Sequence, residues 1–373
     1  LKVGDWIPMN TFQLKAWYID VFRGRANIVY NLFRDIISDR DFIKQRPYLN
    51  QSDYDVTTSS NPFMEHDFDG EIRLVPDGIP ILLYFNGSFM GLYTLNIKKR
   101  RENYGMNKAN VNQILLDLNW DNGLFASKAN IDDPTVDSTS TGWNVLEIRN
   151  PKLKRLSDGK ELDFDTALKP MDYCPANDNN GTKVKASVRR LGGAYNAITA
   201  ETTDDAKRAK YEEYFDVDWN IDYLLHTIFI GDFDGITRNT LYATWQGTSD
   251  NAKWYPLPYD CDQIFGINSI GEPHDSEARV NAIQCVTYTK DNVIALLTTI
   301  YKDRLDARYK HLVDSGVLTV NHVMNMLEYY IREIGIDNYK MEYNRWPNTP
   351  SYRDSTNTYT DYPTTGGIYD GIG

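Results

Sequence analysis

The sequence contains no run of about 18 apolar residues, so it holds no helical membrane span. Basic residues are in deficit: 40 Lys and Arg stand against 52 Asp and Glu, a net charge of −12. Phosphate backbones attract a basic face, so this balance argues against a nucleic-acid partner. Only three cysteines occur, Cys174, Cys261 and Cys285. Their odd number argues against a disulfide framework while leaving room for one bridge, and their spacing is not that of a metal site. The five histidines, His66, His226, His274, His311 and His322, are scattered, with no pair at zinc-ligand spacing, and read as ordinary surface or core residues. No internal repeat is present.

What is present bounds the fold. A chain of 373 residues with 41% hydrophobic residues can bury one large two-lobed domain or two ordinary ones. The opening Leu1-Lys2-Val3-Gly4 is neither a signal peptide nor an initiator, and reads as the start of a piece of a longer or processed protein. Twenty-six tyrosines in an acidic, Asn-rich chain fit a surface or particle-associated protein.

Periodicity organises the chain into two halves. Residues 12–18 have strand composition, and Ile28, Val29, Leu32, Phe33, Ile36 and Ile37 predict a helix over 27–37. Residues 79–93 predict a hairpin with a type I′ turn at Asn86-Gly87. Strand-like pieces recur at 123–128 and 144–149. Beyond residue 150 the chain turns polar, with a turn or loop at Asn177–Gly181, and helical stripes follow. Val217, Ile221, Leu224, Leu225 and Ile228 fit one helix; Val293, Leu296, Leu297, Ile300, Leu305 and Leu312 fit a second; Val323, Leu327, Tyr330, Ile331 and Ile334 fit a third. The expected division is an N-terminal lobe over 1–150, a C-terminal helical lobe over 151–350, and a tail or linker over 351–373.

Two acidic segments carry the chemistry. Gly231-Asp232-Phe233-Asp234-Gly235-Ile236-Thr237-Arg238-Asn239 places an Asp and an Asn five residues apart. After a short connection of strand character comes Tyr259-Asp260-Cys261-Asp262-Gln263-Ile264-Phe265-Gly266. Protein kinases are built this way: one Asp faces the acceptor hydroxyl, an Asn five positions on holds a metal, and a later Asp before Gly holds the metal at the phosphates. Magnesium neutralises the anionic group in transfer, and oxygen ligands hold magnesium. If the second segment is extended, strand alternation puts Asp260 and Asp262 on one face. Plainer readings stand beside this. Asp232, Asp234 and Asn239 shape turns after a helix; Asp260 and Asp262 form a calcium loop or a solvated strand end; Lys15 is a snorkelling surface lysine; Lys128 lies on a strand edge; Cys261 is a small buried filler.

Taken in order, these segments resemble the spore-coat H (CotH) family of atypical kinases. Leu14-Lys15-Ala16 with Tyr18-Ile19-Asp20, Arg25 and Asn27 resembles the family's opening strand and helix. Tyr84-Phe85-Asn86-Gly87 with Gly91-Leu92-Tyr93 resembles its hairpin, and Tyr214 to Asn239 its catalytic segment. Pro258-Tyr259-Asp260-Cys261-Asp262 with Phe265-Gly266 resembles its Trp-Asp-x-Asp-x-x-Phe-Gly segment, and Glu342 with Arg345-Trp346 its last helix. The resemblance implies an α+β, two-lobed protein-kinase-like fold, with a β-rich N-lobe, a mainly helical C-lobe, and ATP with Mg2+ or Mn2+ between them. It implies Asp234 as the catalytic acid facing the hydroxyl, and Asn239 with Asp260 or Asp262 as metal ligands. Lys15 is implied as the lysine on the α/β-phosphates, and Lys128 as a second nucleotide contact. No Gly-x-Gly-x-x-Gly occurs, as expected for this family.

The chain departs from the family pattern in two places. After Gly-Leu-Tyr the family offers an acid, where this chain has Thr94-Leu95-Asn96-Ile97-Lys98-Lys99; Glu147 is the candidate replacement partner for Lys15. The Trp of the Trp-Asp segment is Tyr259 here. Three functional readings follow. The first is an ATP-dependent kinase acting on Ser or Thr of surface, coat or particle proteins. The second is a non-catalytic structural or adhesion module of a cell surface or viral particle. The third is phosphoryl transfer to a small molecule or sugar. Localisation is open, with extracellular, cell-surface or virion-associated settings favoured.

Overall fold

The computed structural model describes residues 2–6, 8–17, 19–40, 72–107, 110–118, 146–151, 179–232, 234–237, 239–247, 249–250, 252–267 and 292–347. Within them the fold is α+β with antiparallel sheets. The first sheet has the order β1-β3-β2, from β1 (Gln13–Lys15), β2 (Asp77–Phe85) and β3 (Ser88–Ile97). The predicted hairpin forms at Asn86 (φ 49°) and Gly87 (φ 78°), both left-handed as a type I′ turn requires. A bulge at Leu83/Tyr84 re-registers β2 against Gly91 and Phe89. The predicted first strand is shorter than its composition suggests, because Trp17 turns the chain at φ 46°.

Helix α1 (Arg25–Ser38) buries the predicted stripe. Its first turn offers no cap of its own. Asp20 supplies one from upstream, accepting the Phe22 N–H at 3.0 Å and the Gly24 and Arg25 N–H groups at 2.7 Å each. α1 packs on α4 (Val217–Ile230), where Phe33 meets Trp219, Tyr223 and His226 edge-on. Asp222 of α4, fully buried, accepts from Arg40 Nε at 2.8 Å and from Arg308 Nε at 2.7 Å.

The second sheet has the order β5-β4-β6-β7, from β4 (Ile114–Leu118), β5 (Leu146–Asn150), β6 (Thr240–Thr244) and β7 (Tyr255–Pro258). Strands from both sides of residue 150 therefore share one sheet, and the same apolar core runs through both halves. The strand expected over 123–128 and the tail over 351–373 lie outside the described residues.

Two helical expectations change. Asn179 and Gly181, read as turn residues, open α2 (Asn179–Thr199). Val184, Val188, Leu191, Ala194 and Ile198 form its buried stripe, and this tertiary burial outweighs the polar N-terminal residues. α3 (Asp204–Tyr214) follows, capped by Thr203. The single helix expected over 293–312 breaks at Tyr301 into α6 (Leu297–Ile300) and α7 (Lys302–Asp314). The Tyr301 hydroxyl is anchored on α3, its one hydrogen shared between the Arg208 carbonyl at 3.0 Å and Glu212 at 2.9 Å. The third stripe forms α8 (Val320–Ile334), and α9 (Ile336–Arg345) closes the described chain.

α9 grips the hairpin. Glu342 accepts the Leu92 N–H at 2.6 Å and pairs with buried Arg23 at 3.2 Å, and the Trp346 indole donates to the Met90 carbonyl at 2.7 Å. Gly91, at φ 136°, makes room: a Cβ there would lie 2.6 Å from Glu342 Oε2. Among the described residues no helix is long and apolar enough to cross a membrane.

Candidate active site

α4 ends where the first acidic segment begins. Gly231 takes φ 68°, its N–H donates to the Ile228 carbonyl, and the Asp232 N–H reaches the Thr227 carbonyl at 3.0 Å, the bonding pattern of a Schellman cap. Buried Asp232 then accepts the Gly235 N–H at 3.0 Å, inside the short helix α5 (Asp234–Thr237). The Gly235 carbonyl accepts from Tyr223 at 2.5 Å and from Thr240 at 2.8 Å, while Asn292 donates to the Ile236 carbonyl at 2.5 Å. The segment is thus bonded along its backbone to α4, β6 and Asn292. Asp234 is the first residue of α5; its side chain lies outside the described set.

The β6–β7 register brings the second segment to the first. Thr240 pairs with Pro258, so the residues before β6 and those after β7 emerge at the same end of the sheet. Asn239 extends this edge, its N–H bonded to the Leu118 carbonyl at 3.0 Å. Phe265 donates its N–H to the Ile230 carbonyl at 2.7 Å, tying the Phe-Gly turn to the end of α4. Cys261 is fully buried between the two segments, with its N–H 3.3 Å from the Tyr30 hydroxyl. Burial raises its thiol pKa well above the ordinary range, helped by the charge of Asp232 and a hydrogen bond to it. A neutral thiol in that setting is packing, not a nucleophile.

Asn239 (φ 55°), Asp260 (φ 54°) and Phe265 (φ 52°) are all left-handed. Asn and Asp enter that region at small cost, whereas Phe does so only where its surroundings compel it. The condition that would align Asp260 with Asp262 is not met. β7 ends at Pro258, and the chain turns at Asp260 with the Asp262 N–H on the Asp260 carbonyl at 2.8 Å. The reason is the left-handed φ of Asp260, which no strand carries.

Lys15 reaches this turn from the other sheet. Its Nζ lies 2.8 Å from Asp260 Oδ1 and 4.2 Å from the Trp17 ring centroid, both partners part-exposed. The expected substitution by Glu147 is not found. Glu147 pairs with Arg149, which already lies against Asp117 on β4. Thr94 and Asn96, where the family acid was sought, are buried and satisfied within the sheet: Thr94 accepts from Trp17 and Asn96 at 2.6 Å each. Lys128 lies outside the described residues.

The structure therefore brings Lys15 to Asp260 and places Asn239 at the same sheet end. A family model described as CotH kinase protein matches residues 4–365. The chain belongs to the CotH kinase protein family. No curated protein matches it.

For a CotH-family chain the metal question can be put to the donors present. Asn239, Asp260 and Asp262 offer oxygen, and no group of three His, Cys, Asp or Glu side chains among the described residues is arranged to hold a metal ion. That set fits Mg2+ completed by phosphate oxygens, since this ion takes one or two carboxylates and leaves its other positions to substrate and water. The reading of the sequence missed a neighbouring cluster. Lys99 Nζ lies 2.5 Å from Asp117 Oδ2 and 3.8 Å from the Tyr259 ring centroid. Asp117, the lone acid in the apolar run Ile114–Leu118, was its visible signal.

Proposed function

We propose that this chain is a kinase that transfers the γ-phosphoryl group of ATP to Ser or Thr hydroxyls of a protein, with Mg2+ or Mn2+ as the metal. The single observation that carries the reading is the Lys15–Asp260 contact at 2.8 Å, beside the sheet end that also bears Asn239. It joins a strand lysine of one sheet to the acid after the β6–β7 hairpin of the other. A two-lobed reading follows, with the first sheet as one wall and the β6–β7 end as the other, and with β4 and β5 assigned to the second wall. Family membership supports a kinase rather than a small-molecule binder.

Bound nucleotide and metal supply the phosphoryl group and the charge that neutralises it. The chain's own residues position them. The Lys15 ammonium binds phosphate oxygens, exchanging Asp260 for them. Asn239 and Asp260, with Asp262 beside them, offer oxygens to the cation. Asp234 orients the acceptor hydroxyl and takes its proton on a carboxylate oxygen. Lys128 is a further nucleotide contact. No covalent intermediate is needed, because alignment and charge compensation account for catalysis of this kind. The acidic, Tyr-rich composition supports acceptors on surface, coat or particle proteins, outside the cell.

The test is thermal-shift titration with ATP and Mg2+ or Mn2+, followed by transfer of labelled γ-phosphate to protein acceptors. Saturating ligand at about 100 times its Kd stabilises the native state by about 2.7 kcal/mol. Asp234→Asn and Asp260→Asn are expected to abolish transfer and keep the fold. Full transfer by Asp234→Asn, or no shift at millimolar nucleotide, overturns the reading in favour of a non-catalytic module.

A further inference from the structure

Tyr259 stands between two ammonium groups. Lys99 Nζ is 3.8 Å from its ring centroid and Lys15 Nζ is 5.9 Å away. Lys15 belongs to the proposed site through Asp260; Lys99 has no assigned role. It follows the end of β3, is about four-fifths buried, and pairs with Asp117, whose side chain is 1% exposed.

Asp117 is not held by Lys99 alone. Arg149 already donates to Asp117 Oδ2 from Nε at 2.9 Å and from Nη2 at 2.7 Å. Glu147 lies on Arg149 in turn, so the cluster contains two cations and two anions. Besides balancing this cluster, Lys99 sets its charge against the Tyr259 ring, one residue before the left-handed Asp260. A cation on an aromatic face gains strength as water is withdrawn, and both Lys99 and Tyr259 are only partly exposed. The Asp262 N–H on the Asp260 carbonyl and Lys15 on the Asp260 carboxylate hold the turn from its far side, and Lys99 on the Tyr259 ring holds it from the near side.

We propose that Lys99 is a positioning residue: seated on Asp117, it clamps the Tyr259 ring and so holds the Tyr259–Cys261 turn with Asp260 facing Lys15. The purpose of this role rests on the phosphoryl-transfer reading, while the clamp itself is testable without nucleotide. Buried Cys261 reports on the turn, since a thiol reagent reaches it only when the turn opens.

In a Cys174→Ser/Cys285→Ser background, labelling of Cys261 is expected to be about tenfold faster in Lys99→Met, the change in open population that a partly buried cation–π contact supplies. Tyr259→Leu should match it, and the double variant should label no faster than either single, because both remove one contact. Tyr259→Phe keeps the ring face and should label as the parent does. Lys99→Arg keeps charge and ring contact and should restore slow labelling. Equal rates in Lys99→Met and parent, or multiplicative rates in the double variant, overturn the clamp. In parallel, the shift in melting temperature given by ATP and Mn2+ should shrink in Lys99→Met and return in Lys99→Arg. An unchanged shift in Lys99→Met overturns the positioning role. A parent protein with no shift at all removes the phosphoryl-transfer reading and the purpose of the clamp, and the labelling ratios still decide whether the clamp exists.

Discussion

His226 makes the fold sensitive to acid in a calculable way. It sits in α4, fully buried against Phe33, with Nε2 2.8 Å from the Val29 carbonyl and Nδ1 without a hydrogen-bond partner among the described residues. Burial lowers its pKa to about 4, and the Val29 carbonyl only partly opposes this. The unfolded chain has an ordinary imidazole with a pKa near 6.5. Between these values the unfolded state binds a proton that the native state refuses, so stability falls as pH falls through that window. The contribution is intact above about pH 6.5 and the full loss, reached near pH 4, is about 3 kcal/mol. Asp222, Asp216 and Glu342 act in the opposite sense, because burial raises their carboxyl pKa values. The His226 term is therefore isolated by comparison with His226→Gln, which stays neutral. Urea unfolding of both proteins at pH 7.5 and 4.5 should show the parent losing about 2–3 kcal/mol more than the variant. Parallel losses in the two proteins would refute the reasoning.

Two further outcomes concern the scaffold. Asp222→Ala leaves Arg40 and Arg308 without their shared buried partner, though Asp218 and Asp39 remain beside them, and urea midpoints should fall by the equivalent of about 3 kcal/mol. An unchanged midpoint would mean that those two acids take over completely. Gly91→Ala puts a methyl 2.6 Å from Glu342 Oε2 at φ 136°, and should destabilise by more than about 1 kcal/mol in thermal unfolding; a neutral result would show that α9 can yield.

Much of the scaffold was legible because its signals are local. Asn86-Gly87 can make its turn without tertiary help, and the α1 stripe needs only a core to face. The end of α4 was legible for the same reason, since Gly231 stops the helix where the acidic segment starts. Long-range partners were not legible. Tyr301 breaks a periodic helix only because Glu212 and the Arg208 carbonyl lie within reach. α2 starts on residues that favour turns because its buried stripe lies further along. The two acids of the Asp260 turn are visible in the sequence, but its left-handed backbone is not, because no neighbouring glycine or turn motif signals it. Lys15 is visible as a candidate in the sequence but its partner is not, because the acid arrives from beyond β7 and not from the strand that follows the hairpin turn.

The pairing of β4 with β6 has a consequence for biosynthesis. Leu118 finds Thr240 only after the whole intervening chain has been made. Closing so long a loop is slow, and apolar Ile114–Leu118 has no sheet partner on that edge while it waits. The nascent protein therefore carries an open, adhesive strand until β6 leaves the ribosome, and holdase chaperones should find their grip there.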